Sequence, residues 1–133
     1  MVEEWMAGNG PRYQFDPAAL ERNLSGFDDA ARRAMLDDLV DELRDRAEAI
    51  TVAAGAGDRE ALALEAYALR SCAAICGARA LIDLAESLGD KGGSRPGRPQ
   101  ELAKVARARV AETVRALELW RSGETERRPE EEC

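Results

Sequence analysis

The stretch Glu65 to Gly89, EAYALRSCAAICGARALIDLAESLG, decides the fold of this chain. It opens as a helix, is interrupted at Gly77-Ala78, and resumes as a second helical stripe of Leu81, Leu84, Ala85 and Leu88. At about 3.6 residues per turn, Leu62, Ala66, Leu69, Ala73 and Cys76 share one face, which is the expected core stripe. Tyr67 therefore points away from the core. Around it at helical spacing stand Ala63, Leu64, Arg70, Ser71 and Ala74, mostly small residues with a single positive charge. A surface of that kind lets another protein approach the helix closely.

Upstream, Gly55-Ala56-Gly57 breaks the chain and Asp58 offers an N-cap for the central helix. The Gly-x-Gly does not make a phosphate loop, because no strand precedes it and no Gly-Lys-Ser/Thr follows. Before it, Leu36, Leu39, Val40, Leu43, Ala47 and Ile50 recur at helical spacing on one apolar face. The charges Asp37, Asp38, Asp41, Glu42, Arg44, Asp45 and Arg46 fill the rest and read as a solvated face, with no catalytic role. Ser25, with Asp28 three residues on, reads as a capping-box variant at the start of that helix. Asp16-Pro17 supplies an N-cap and a proline at the first helical position, so a short helix to about Asn23 is expected. Residues 1–15 lack a clean period and read as a loose arm whose Trp5, Tyr13 and Phe15 pack on the bundle.

Downstream of Gly89, the segment DKGGSRPGRPQ is rich in Gly and Pro and reads as a solubilising connection longer than most helix-helix loops. A last long helix follows, with Leu102, Ala106, Val110, Thr113, Val114, Leu117 and Trp120 on its apolar face. Residues 122–133 hold too little apolar content to bury and are expected to be disordered. The chain thus reads as all-α: an antiparallel four-helix bundle of four long helices over residues 16–121, with an additional short N-terminal helix.

With 133 residues, the chain suits one core. Its formal charge of −7 argues against nucleic acid as a partner. No stretch has the length and apolarity of a membrane span, and the acidic start MVEEW is unlike a signal peptide, so a cytoplasmic location is expected. Cys72 and Cys76 are four residues apart on one helix, a spacing that can bring two thiolates to a metal. Without histidine or a second cysteine pair, they read instead as small buried residues in a reducing compartment, and neither metal nor cofactor is expected. Cys133 reads as an exposed thiol.

From Ala66 the order A-Y-x-L-R-S-C-A-x-x-C-G-A-x-x-L resembles the signature of histidine-containing phosphotransfer domains, A-H-x-L-K-G-S-A-x-x-x-G-A-x-x-L. Gly57-Asp58 is similar to the turn that commonly precedes the histidine-bearing helix in that family. The resemblance implies a helical bundle that docks on the receiver domain of a response regulator or a hybrid histidine kinase. It also implies that the phosphate-accepting histidine is replaced by Tyr67. The family's attracting lysine becomes Arg70, which keeps the charge, and the small residue after it becomes Ser71. The chain contains no histidine that could substitute. A phenol's ordinary pKa is about 10, so attack on an acyl phosphate needs a general base. None stands among the helical neighbours; Glu60 is two turns away, about 10 Å along the axis.

The expectation is therefore a pseudo-phosphotransfer protein, without enzymatic activity, that competes for receivers or holds them. Its partner-binding residues are Ala63, Leu64, Tyr67, Arg70, Ser71 and Ala74. Two alternatives stand beside it: an orphan bundle acting through a homodimer, and phosphorylation of Tyr67 itself. A single engineered His→Tyr change is opposed by the departures at Arg70 and Ser71.

Overall fold

The computed structural model of the chain describes residues 14–89 and 98–132, with side chains as far as Ser122. Its helices are α1 (Pro17–Leu24), α2 (Asp29–Ala56), α3 (Arg59–Cys76), α4 (Arg79–Gly89) and α5 (Arg98–Glu132), and no strand occurs among the described residues. Local chemistry sets most of the boundaries. Asp16, Asp28 and Asp58 each cap the helix that follows, their carboxylates accepting from Ala18, Ala31 and Ala61 backbone N–H groups. Two helices end on a glycine in the left-handed region: α2 at Gly57, φ 69°, and α3 at Gly77, φ 65°. Both turns are short, so α2, α3 and α4 fold back on one another as expected.

The four long-axis neighbours close into a bundle in which α2 packs on α3 and α5, and α4 packs on α3 and α5. Every residue of the α2 stripe named above is buried, as are Leu62, Ala66, Leu69, Ala73 and Cys76 of α3. From α5 come Leu102, Ala106, Val110, Val114 and Leu117. Thr113, also buried, donates its hydroxyl to the Gln14 carbonyl at 3.3 Å and so is not left an orphan polar group in the core. Alanines at Ala47, Ala53, Ala54, Ala66, Ala73, Ala85, Ala103 and Ala106 let the axes approach closely.

Three details differ from the sequence reading. The N-cap of α2 is Asp28, and Ser25 instead ends α1; the carboxylate three residues before Ala31 reaches its N–H, and α2 starts there. α4 is only 11 residues long, where a long helix was expected. As expected, Phe15 packs on the bundle: it is fully buried and stacks edge-on against Trp120, ring centroids 5.9 Å apart. Trp5 and Tyr13, the segment 90–97 and Cys133 lie outside the described residues. The α5 backbone continues helical to Glu132, through a stretch read as disordered. Extending a helix that already exists avoids the nucleation cost, and Glu and Arg propagate it well.

Candidate functional site

The site begins with the C-terminal end of α3. Asp16 donates its backbone N–H to the Cys76 carbonyl at 2.8 Å, and the Asn23 amide donates to the Ile75 carbonyl at 2.6 Å. These bonds satisfy two carbonyls that a helix end leaves open, and they seat α1 across it. Gly77 permits the seat: a Cβ placed on it would lie 2.7 Å from the Asp16 Cβ and 3.2 Å from that of Ala19. The Gly-Ala pair of the motif therefore does two jobs, turning the chain and making room for α1, while Ala78 is fully buried.

With its inner face so fixed, α3 turns its outer face to solvent. Tyr67 is 68% exposed and Leu64 67% exposed. Ala63, Arg70, Ser71 and Ala74 are exposed beside them, so all six residues expected to bind a partner share one open surface. Among the described residues the Tyr67 hydroxyl has no hydrogen-bond partner, and no side chain stands ready to take its proton. The Ser71 hydroxyl donates to the Tyr67 carbonyl at 3.2 Å and is thereby turned onto its own helix. Arg70 is not a free cation. Its Nε lies 3.1 Å from Oε2 of Glu86 on α4, with both side chains half exposed.

Two parts of this surface escaped the sequence reading. The first is Glu86, which α4 brings to Arg70. The second is a groove of about 340 Å3 between α1, α2 and α3, lined in part by Leu20, Leu24, Met35, Leu39, Cys72 and Ile75. Met35 and Ile75 are exposed and continue the apolar character of the face beyond Ser71. Ile75 follows Tyr67 by eight residues, which rotates it about 80° from the tyrosine, so the periodicity alone could have found it. Exposed Asp38 and Glu42 also line the groove and make it acidic. Beside it, Arg46 of α2 pairs with Glu42 and with Glu65 of α3, tying the two helices together.

Cys72 and Cys76 are both free and buried. Burial pushes the Cys76 thiol up to about 12, and burial followed by the nearby Glu42 carboxylate raises that of Cys72. Protonated thiols are poor nucleophiles and poor metal ligands. Among the described residues no three His, Cys, Asp or Glu side chains converge as a metal site. No described helix is long and apolar enough to cross a membrane. A second groove, between α2 and α5, is spanned by the pairs Arg44–Glu118 and Arg107–Glu48 and brings no reactive group together.

Comparison with models of known families matches residues 34–122 to the Hpt domain. No curated protein and no solved structure matches the chain.

Proposed function

Because the chain belongs to the Hpt domain family, we propose that it acts in two-component signalling as a pseudo-phosphotransfer protein, docking on receiver domains without carrying phosphate. Hpt domains carry phosphoryl groups between receivers and do not themselves catalyse turnover; this chain keeps the docking face and lacks the carrier. The carrying observation is Tyr67, exposed at the centre of a small, apolar surface, at the motif position where the family has its histidine. A chain with no histidine, and among its described residues no base beside the phenol, lacks the acceptor that an acyl phosphate needs. The protein then competes with an active carrier for a receiver, or holds that receiver in a complex, in the cytoplasm where receivers work.

Calorimetric titration against the receiver domains of its own organism tests this. Binding to one receiver, lost on Tyr67→Glu, is the expected result. Failure to bind any receiver would sink the reading.

Leu64 and Tyr67, both about two-thirds exposed, favour one second reading, a homodimer through α3. Sedimentation over a range of concentrations separates the two, since a dimer formed through this face hides it from a receiver.

A further inference from the structure

We infer that the groove between α1, α2 and α3 is a binding site for a small organic cation, an apolar body that ends in an ammonium group. The polar side chains that line it offer acceptors. Asp38 and Glu42 present carboxylates, and Asp38 takes part in no ion pair among the described residues. The Asn23 amide nitrogen is given to the Ile75 carbonyl at 2.6 Å, which leaves the amide oxygen for a donor. The Cys72 thiol, kept protonated by burial, is a weak donor at most. The rest of the lining is apolar: Leu20, Leu24 and Leu39 are buried, and Met35 and Ile75 stand exposed.

The sign of the charge holds as neighbours are included. Arg46 is shared between Glu42 and Glu65, so these two and Asp38 set three carboxylates against one guanidinium. Asp45, three residues past Glu42, adds to the same sign. Glu21 and Arg32 pair with each other. Arg22 is two residues from Leu20 and Leu24, and Arg33 two from Met35, a rotation of about 200° that puts each on the far side of its helix. Arg70 and Arg79 pair with Glu86 and Asp83 of α4, and no described lining residue comes from α4 or α5. Residues outside those described join the chain at Gln14, which Thr113 of α5 holds, and between α4 and α5.

Size points to a compact occupant. Met35 and Glu42, the outermost lining residues of α2, lie about 10 Å apart along the axis. Beyond them, the pairs Glu21–Arg32 and Glu65–Arg46 cross from α2 to α1 and to α3. A groove of about 340 Å3 bounded in this way is of small-ligand size. A second copy docked through the same patch would set Asp38 and Glu42 against like charges. The chain's own Trp5 follows Glu3 and Glu4, which carry the wrong sign.

The probe is phenethylammonium, with phenethyl alcohol as its neutral counterpart and phenylacetate as an anion. Each is titrated into the full isotope-labelled chain at neutral pH, and backbone amide shifts report both place and affinity. The ammonium should move the amides of Asn23, Met35, Asp38 and Ile75. It should bind about five-fold more tightly than the alcohol, the order given by one opposite charge at roughly 4 Å in a water-like dielectric. Phenylacetate should bind weakest. In Asp38→Asn the advantage of the ammonium should shrink to about two-fold while the alcohol binds as before. Asp37→Asn, on the far side of α2, should keep it. The inference is overturned if the groove amides do not respond up to about 10 mM ammonium, the weakest affinity expected of a ligand this small. Alcohol or anion binding as tightly as the ammonium overturns it too, as does an equal loss in both aspartate variants. So do three results that name another occupant: probe affinity raised several-fold by Trp5→Ala, which puts the chain's own arm in the groove; groove amides that shift with protein concentration alone, which puts a second copy there; and groove amides that move with a receiver domain but not with the ammonium.

Discussion

The backbone N–H of Asp16 donates to the Cys76 carbonyl at 2.8 Å, so the short helix α1 is tied to the end of the helix that presents Tyr67. The bond converts a helix terminus into a seat. Phe15, Leu20 and Leu24, all buried, then add roughly 1.5–3 kcal/mol each, and one wall of the groove beside Ile75 comes into being.

Gly77 is where this arrangement is most exposed to mutation. In Gly77→Ala the new Cβ would stand 2.7 Å from the Asp16 Cβ at a φ of 65°. The left-handed backbone costs an L-residue about 1 kcal/mol, and displacing α1 costs more, so urea denaturation should report a loss of roughly 2–3 kcal/mol. A loss below about 0.5 kcal/mol, the range of a neutral surface change, would mean that α1 is not seated on Gly77.

What was legible in the sequence, and what was not, follows from how far apart the interacting residues lie. The stripe from Leu62 to Cys76 and the outward position of Tyr67 are consequences of helical period, which a single sequence displays. The caps at Asp16 and Asp58 depend on residues two or three places apart. Ser25 and Asp28 are both capping residues, and choosing between them needed the position at which α2 begins. The Arg70–Glu86 pair, the bond from Asn23 to the Ile75 carbonyl and the groove cross from one helix to another. Their partners are fixed by packing angles that no local pattern encodes. Sequence therefore marked the exposed face of α3 and missed the carboxylate that engages Arg70.

Tyr67→His should restore a nucleophile without disturbing the bundle, since a side chain 68% exposed contributes little packing. With Arg70 still held to Glu86, the phosphoryl group is poorly drawn in. Transfer of labelled phosphate from a phosphorylated receiver should be detectable in Tyr67→His and several-fold faster in Tyr67→His with Glu86→Gln. Equal labelling of the two variants would show that Glu86 does not restrain Arg70 in function.

If the docking face extends past Ser71 into the groove, a charge at its far end must weaken binding. Ile75→Glu places a carboxylate at a residue 45% exposed, beside Asp38 and Glu42. Receiver affinity should fall about ten-fold, with stability unchanged to within about 0.5 kcal/mol. Leu119→Glu, at a residue 60% exposed on α5, is the control and should bind like the parent chain. Should Ile75→Glu also bind like the parent, the receiver touches only the surface around Tyr67.

The buried thiol predicts a dependence on pH whose sign can be worked out. Unfolded, Cys76 titrates near about 8.5; folded, its burial holds the thiol up to about 12. Below the lower value both states keep the proton, and the group adds no slope. Between the two, the unfolded chain releases a proton that the folded chain retains. Stability then falls as pH rises, by as much as about 1.4 kcal/mol per pH unit. Urea midpoints should accordingly be flat with respect to this group from pH 6 to 8, roughly, and decline above about pH 9. Tyrosine and lysine also titrate in that range, so the diagnostic is the difference from Cys76→Ala. That variant loses packing at every pH, yet its midpoint should decline less steeply in alkali, since Cys72, which faces burial and Glu42, is the only one of the buried pair left to titrate. Parallel curves for the parent and the variant would show that the folded chain does not withhold the Cys76 proton from water.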